Sequence, residues 1–168
     1  MGAGVALSPE ERREVEAILR LKEVPGLGDR GIRELVLKHG SADRALRALG
    51  IQGSLLPAPS PLPGEGWKAR GTEVLPLTSS RYPGRLKELK DPPALLFLRG
   101  RMELLHRPAV AIVGARAASE VGRRVAEAMG RLLAGAGAPV VRGLARGIDA
   151  AAHAGALRAG GDTLAVSG

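Results

Sequence analysis

Two short segments combine glycine with arginine, and each directly follows a run of apolar residues. The first, residues 114–122, reads Gly-Ala-Arg-Ala-Ala-Ser-Glu-Val-Gly, and the second, residues 142–147, reads Arg-Gly-Leu-Ala-Arg-Gly. Glycine allows a backbone to turn sharply and to approach a ligand closely. The forked guanidinium of arginine matches the oxygens of a phosphate group. These residue types in these positions predict a phosphate-binding site.

A helix is predicted to start at each segment. Ser119 is a good N-cap, and Asp149 suits the first turn of the second helix electrostatically. The free N–H groups at the first helix N-terminus are expected to attract the same anion. The residues expected to bind phosphate are Gly114, Arg116, Ser119, Arg142, Gly143, Arg146 and Gly147.

The elements that position these segments alternate between strand and helix. Apolar strand segments begin at Ala109, Pro139 and Thr163, and helical segments open at Ser119 and cover residues 150–159. Two strand-loop-helix units followed by a third strand predict a parallel sheet with crossover helices. Ligands of such α/β sheets bind at the carboxyl ends of the strands, where both segments would lie.

The N-terminal part of the chain is predicted to be helical. Ser8, Pro9 and Glu11 form a helix start with a capping box, and a second and a third helix follow near Asp29 and Ser41. The turn at residues 24–28, Val-Pro-Gly-Leu-Gly, is typical of a helix-hairpin-helix element, which binds DNA phosphates through backbone N–H groups. An ordinary helix-helix turn has the same composition, and both interpretations stay open.

Three regions are expected along the chain. Residues 1–50 form the small helical domain, residues 51–80 form a linker rich in proline and glycine, and residues 81–168 form the sheet domain. Residues 81–168 carry 14 Lys and Arg against 7 Asp and Glu, whereas residues 1–80 carry 11 against 10. This imbalance favours an anionic partner for the sheet domain.

The composition also limits the classes of site and location. The chain has no Cys, so disulfides and thiolate metal sites are excluded. We find neither the pattern of a signal peptide nor an apolar run of the roughly 20 residues that cross a bilayer. A cytoplasmic protein without a metal or other cofactor is therefore expected.

Two other uses of these segments are a dinucleotide site and acid-base or metal chemistry. The first segment lacks the Gly-x-Gly-x-x-Gly spacing of NAD sites, and Arg142 stands where an acidic residue would hold a ribose. An NADP-like ligand, with Arg142 on its extra phosphate, is an alternative. Asp149 and His153 lie four residues apart on one helix face; an acid-base pair or half a metal site is one interpretation, and an orienting hydrogen bond within the helix is the one we prefer.

Several motifs together resemble the DprA family of bacterial DNA-processing proteins, also called Smf, which act in natural transformation. The matching residues are Tyr82-Pro83, Asp91-Pro-Pro93, 95–100, 111–116, Ser119, Gly122, 143–149, Ala152-His153, 163–166 and the turn at 24–28. The resemblance covers nearly the whole chain and is weakest across residues 50–70. The combination of both glycine-and-arginine segments is specific, whereas either alone would be weak.

The resemblance implies a small SAM-like helical domain followed by a Rossmann-like domain that binds single-stranded DNA. Family members protect incoming strands and load the recombinase RecA, without being known as enzymes. The family's phosphate-pocket positions correspond to Gly114, Arg116, Ser119, Gly143 and Gly147; Arg142 and Arg146 are added because of their charge.

The chain departs from the family pattern in three respects. Ala115 replaces the usual Ser or Thr, and Arg142 stands where the family usually has Ser. The family's sheet domain continues beyond the strand at residues 163–167, so we expect this chain to be a fragment with part of a Rossmann-like domain. Dimerisation and RecA binding are therefore expected only of full-length members.

Two further functions remain as alternatives to binding of single-stranded DNA. One is a Rossmann-type nucleotide-binding enzyme related to phosphoribohydrolases, although we identify neither paired carboxylates nor an activated nucleophile for it. The other is an interaction module in which the loops only pack.

Overall fold

A computed structural model of the chain describes residues 7–51 and 71–167. They form two compact units, one that ends at Arg101 and one that begins at Met102. The predicted linker, residues 51–80, lies largely outside the described residues.

Three helices build most of the first unit: α1 (Pro9–Lys22), α2 (Asp29–His39) and α3 (Ala42–Ala48). The predicted capping box of α1 is confirmed: Glu11 N donates to Ser8 Oγ at 3.1 Å, and Ser8 N donates to the Glu11 carboxylate at 2.9 Å. Apolar residues of the three helices share one core, which includes Val15, Ile18, Leu21, Ile32, Val36 and Ala45.

An antiparallel pair of strands completes the first unit. Strand β1 (Thr72–Pro76) pairs with β2 (Leu95–Arg99), and the short helix α4 (Gly84–Lys87) lies between them in the chain. Val74 and Leu95 belong to the core of the helices. Residues 81–101 belong to the same compact unit as the N-terminal helices, which differs from the domain boundary expected at residue 81.

The apolar run at residues 94–98, Ala-Leu-Leu-Phe-Leu, predicts a buried strand, but β2 is only partly buried. Only Leu95 of β2 is buried, and Phe97 is 48% exposed. An antiparallel sheet can leave part of its surface in solvent, which a run of apolar residues does not reveal.

The second unit contains the predicted parallel sheet. A 3₁₀-helix (Met102–His106) precedes β3 (Val110–Ala111), α5 (Glu120–Gly135), β4 (Val140–Arg142), α6 (Ile148–Arg158) and β5 (Thr163–Ala165). The strand order is β3-β4-β5, and both pairs are parallel. The α/β fold class predicted from the sequence is thus confirmed, with strands shorter than the apolar segments suggested.

Small residues allow α5 and α6 to pack closely. A Cβ added to Gly130 would overlap the backbone of Ala152, and one added to Gly155 would overlap the backbone of Glu127. The core between the helices and the sheet contains Ile112, Ala126, Val140, Ala152 and Ala156. This packing fixes the two helices, and therefore also the loops that precede them.

Candidate nucleic-acid interface

The loops that follow β3 and β4 meet at the carboxyl edge of the sheet, as the parallel topology predicts. Ile148 N donates to the Ala115 carbonyl oxygen at 3.3 Å, which links the second loop directly to the first. Gly147 has a φ of +82° and a ψ of −126°, and a Cβ there would overlap the carbonyl oxygens of Ala115 and Arg116. Only glycine permits this close approach.

Ile148 is the side chain that fills the space between the loops, and the sequence analysis did not single it out. A Cβ on Gly114 would lie 2.6 Å from Ile148 Cγ1, and one on Gly122 would lie 3.4 Å from Ile148 Cδ1. Packing against Ile148 therefore requires glycine at position 114. The signal in the sequence was an isoleucine directly after the glycine of the second loop.

Two of the predicted arginines are available to a ligand. Arg116 and Arg146 are both exposed, and neither forms an ion pair with any residue in the part of the chain that the structure describes. They lie on loops that the Ile148–Ala115 hydrogen bond joins. Their guanidinium groups are therefore free to bind phosphate oxygens.

Arg142 has a different environment. Its side chain is 1% exposed, and its Nη2 contacts the Asp149 carboxylate, which is 13% exposed. Burial lowers the pKa of the Arg142 guanidinium from its ordinary value. Arg142 is thus held inside the unit rather than presented at the surface, and its expected contact with phosphate stays a prediction.

The remaining predicted residues have backbone and capping roles that the structure shows. Ser119 caps α5, because its Oγ accepts a hydrogen bond from Gly122 N at 3.1 Å. Gly147 is the N-cap of α6 and provides no side-chain hydrogen bond. Gly143 begins the second loop, and its carbonyl oxygen lies 3.2 Å from His153 Nε2. Contact of these residues with phosphate stays a prediction.

The preferred prediction, an orienting hydrogen bond between Asp149 and His153 within the helix, is wrong. Asp149 contacts Arg142, the last residue of β4, and His153 Nε2 lies 3.2 Å from the Gly143 carbonyl oxygen, so both side chains contact residues that precede α6. Among residues 7–51 and 71–167, no cluster of three or more His, Asp or Glu side chains could hold a metal ion. Glu120, near the other loop, is also in ion pairs, with Arg123 and Arg124.

The glycine turn between α1 and α2 is followed by an acidic residue in the first turn of α2. Gly28 is the N-cap of α2 without a side-chain hydrogen bond, and Gly26 has a φ of +78°. Asp29, in the first turn of α2, forms a 2.8 Å ion pair with Lys22. A carboxylate at a helix N-terminus occupies the region that favours an anion, so this geometry favours the ordinary helix-helix turn.

The first unit also contains a polar cleft that sequence analysis did not predict. It has a volume of about 880 Å³, and its lining includes Ser8, Glu11, Ser41 and Arg81. Arg81 forms a 2.9 Å ion pair with Glu11.

None of the described helices is long and apolar enough to cross a membrane.

The parallel sheet, its two crossover helices and the paired loops define the second unit as a Rossmann-like α/β unit with an exposed cationic edge. Residues 73–168 match the family model of DNA recombination-mediator protein A, and the chain belongs to this family. The resemblance seen in the sequence motifs is thereby confirmed.

Known relatives agree with this assignment. The chain is 47% identical over 87 residues to the DNA processing protein DprA of Streptococcus pneumoniae (strain ATCC BAA-255 / R6), with 52% of this chain and 30% of the relative covered. It is 37% identical over 101 residues to DprA of Bacillus subtilis (strain 168), covering 60% and 34%. The Smf protein of Escherichia coli (strain K12) is 40% identical over 95 residues, covering 56% and 25%.

A solved structure is also similar. The X-ray structure of DNA processing protein A (DprA) from Streptococcus pneumoniae matches with a TM-score of 0.65 and 30% identity, over 91% of this chain and 56% of that chain. The aligned part of this chain spans about a third or less of the length of the curated relatives.

Proposed function

We propose that this protein binds single-stranded DNA through its phosphates, at the joined loops of the second unit. The observation that carries the proposal is the pair of exposed arginines, Arg116 and Arg146, on two loops linked by the Ile148–Ala115 hydrogen bond. Two cations on loops that are joined through their backbones suit a ligand with repeated negative charges. Membership of a DNA recombination-mediator family favours a nucleic acid as that ligand.

The proposed mode of binding depends little on base identity. Residues 102–168 contain no Phe, Tyr or Trp, so stacking of bases on these side chains is excluded for the second unit. Phosphate contacts and guanidinium groups must therefore supply most of the affinity. We expect weak sequence preference and strong dependence on salt concentration.

The protein is proposed to act by binding rather than by catalysis. The carboxylates nearest the loops, Glu120 and Asp149, are both in ion pairs with arginines. Neither is therefore an uncommitted general base, which a nucleotide-hydrolysing relative would require. In complete family members, the bound strand would be protected in the cytoplasm and passed to RecA, with this chain supplying the binding loops.

A fluorescence-anisotropy titration of labelled oligo-dT tests the proposal. Loss of one charge-assisted hydrogen bond to phosphate costs about 1.5–3 kcal/mol, so Arg116→Gln and Arg146→Gln should each weaken binding by about tenfold or more. Arg131→Gln is the matched control, since Arg131 is an exposed arginine on α5 and belongs to neither loop.

Three outcomes are distinguishable. Weaker binding by both loop variants, with little change for the control, supports the proposal. Equal binding by all four proteins would refute it. Turnover of a nucleoside monophosphate that disappears in the Arg116→Gln variant would favour the enzyme alternative.

A further inference from the structure

The buried ion pair between Arg142 and Asp149 connects the end of β4 to the first turn of α6. Arg142 is the last residue of β4, and Asp149 is the second residue of α6. The loop between them, residues 143–147, carries Arg146. Asp149 also lies over the first residue of this loop, because a Cβ on Gly143 would be 3.2 Å from Asp149 Oδ2.

Other contacts hold both ends of the same loop. At its start, His153 Nε2 lies 3.2 Å from the Gly143 carbonyl oxygen, and Val166 N donates to the Arg142 carbonyl oxygen at 2.8 Å. At its end, Gly147 packs against the backbone of Ala115. The middle of the loop is open to solvent: Leu144 is 73% exposed and Arg146 is also exposed.

The positive charge of Arg142 is paired with the carboxylate of Asp149. Its Nε and Nη1 are buried and form no hydrogen bond with any described residue, so Asp149 is its only ion-pair partner in residues 7–51 and 71–167. For a phosphate to reach this guanidinium, the buried pair would have to separate. Separation of a buried pair is costly because each charge is left without a partner.

We propose that Arg142 and Asp149 are positioning residues that fix the loop at residues 143–147, so that Arg146 faces the DNA strand. This inference rests on the proposed function of the loops. Arg142 stands where the resembling family usually has Ser, so the pair is a feature of this chain. The charge of Arg142 alone led to the expectation that Arg142 contacts phosphate directly. In this proposal, Arg142 instead acts indirectly, by positioning Arg146.

The sign of the effect of Asp149→Asn separates the two roles. If Arg142 contacted phosphate directly, this substitution would remove a competing carboxylate and a negative charge, and binding would tighten. If the pair positions the loop, the same substitution weakens binding even though the net charge becomes more positive. We expect weakening of about fivefold or more, within the range found for residues that share a network.

A mutant cycle tests whether the effect passes through Arg146. In the full chain, Asp149→Asn should weaken oligo-dT binding alone but have little effect in the Arg146→Gln background. Tighter binding by Asp149→Asn, or equal weakening in both backgrounds, would overturn the proposal. If Asp149→Asn does not fold, Arg142→Lys is the substitute, because it keeps the positive charge but loses the forked geometry. It should likewise weaken oligo-dT binding alone but have little effect in the Arg146→Gln background.

A second readout does not depend on DNA. Asp149→Asn should increase amide hydrogen exchange at Ile148, whose N–H binds Ala115 O across the loops, while the centre of α5 keeps its protection. Unchanged exchange at Ile148 would overturn the positioning role. Equal oligo-dT binding by wild type and Arg146→Gln would instead count against the proposed function, so the two failures are distinguishable.

Discussion

The contact between the two loops predicts an unusually large effect for Gly147→Ala. Two costs add at this position. Backbone dihedrals of this kind cost about 1–3 kcal/mol for a residue other than glycine, and the added methyl overlaps the carbonyl oxygens of Ala115 and Arg116. Overlap in a packed region typically costs about 1–3 kcal/mol. We therefore expect a loss of about 2–6 kcal/mol in the free energy of unfolding of the second unit.

Gly137→Ala is the matched control for this prediction. Gly137 also has a positive φ, +70°, but no atom lies within 4 Å of the Cβ that alanine would add. It should therefore show only the backbone cost, about 1–2 kcal/mol. The excess loss in Gly147→Ala over Gly137→Ala reports the contact between the loops together with the particular dihedrals of Gly147.

The assay must report on the second unit, which has no aromatic residue for fluorescence. Amide hydrogen exchange measured for α5 and α6, together with urea unfolding followed by far-UV circular dichroism, meets this need. Gly147→Ala should reduce protection of α6 more than Gly137→Ala does, and it should also weaken oligo-dT binding. Equal losses in the two variants, or near-native stability of Gly147→Ala, would refute the contact between the loops.

Three further predictions concern capping, packing and pH. Ser119→Ala should lower the free energy of unfolding by about 1 kcal/mol, the usual worth of an N-cap, measured by urea unfolding against Ser119→Thr as the control. Gly155→Ala should lower it by about 1–3 kcal/mol, because the methyl would meet the Glu127 backbone; hydrogen exchange in α5 and α6 would show this, and unchanged protection would contradict it. Burial raises the pKa of Glu11, but hydrogen bonds from Arg81, from a serine hydroxyl and from a backbone N–H outweigh burial and bring the pKa to about 2 from 4.5. Because the folded pKa is the lower one, this stabilisation is present above pH 4.5 and is lost as the pH falls through about 2. It amounts to at most about 3 kcal/mol, and acid unfolding of Glu11→Gln should lack this component.

The fold of the second unit could be predicted because its signals are local. An apolar run, a glycine and a capping serine appear together at residues 110–122, and they place a strand, a turn and a helix without reference to the rest of the chain. The meeting of the two loops follows from parallel topology alone. Arg116 and Arg146 are exposed as phosphate binding requires.

The environment of Arg142 could not be predicted, since the sequence shows a charge but not its partner. Spacing along a helix favoured a bond between Asp149 and His153. The reversal of the chain from β4 into α6 instead brings Asp149 back onto Arg142. The same limit applies to β2, because its pairing with β1, which places Phe97 opposite Val74, joins segments that are distant along the chain.

The most direct test of the central claim is the salt dependence of oligo-dT binding by the full chain. For single strands, the slope of log K against log salt is about −0.7 for each phosphate contact. The double variant Arg116→Gln/Arg146→Gln loses two phosphate contacts, so its slope should be less steep than that of wild type by about 1.4. The control variant Arg131→Gln should leave the slope nearly unchanged. A wild-type affinity that does not depend on salt, or the same slope in the double variant as in wild type, would contradict phosphate binding at the joined loops.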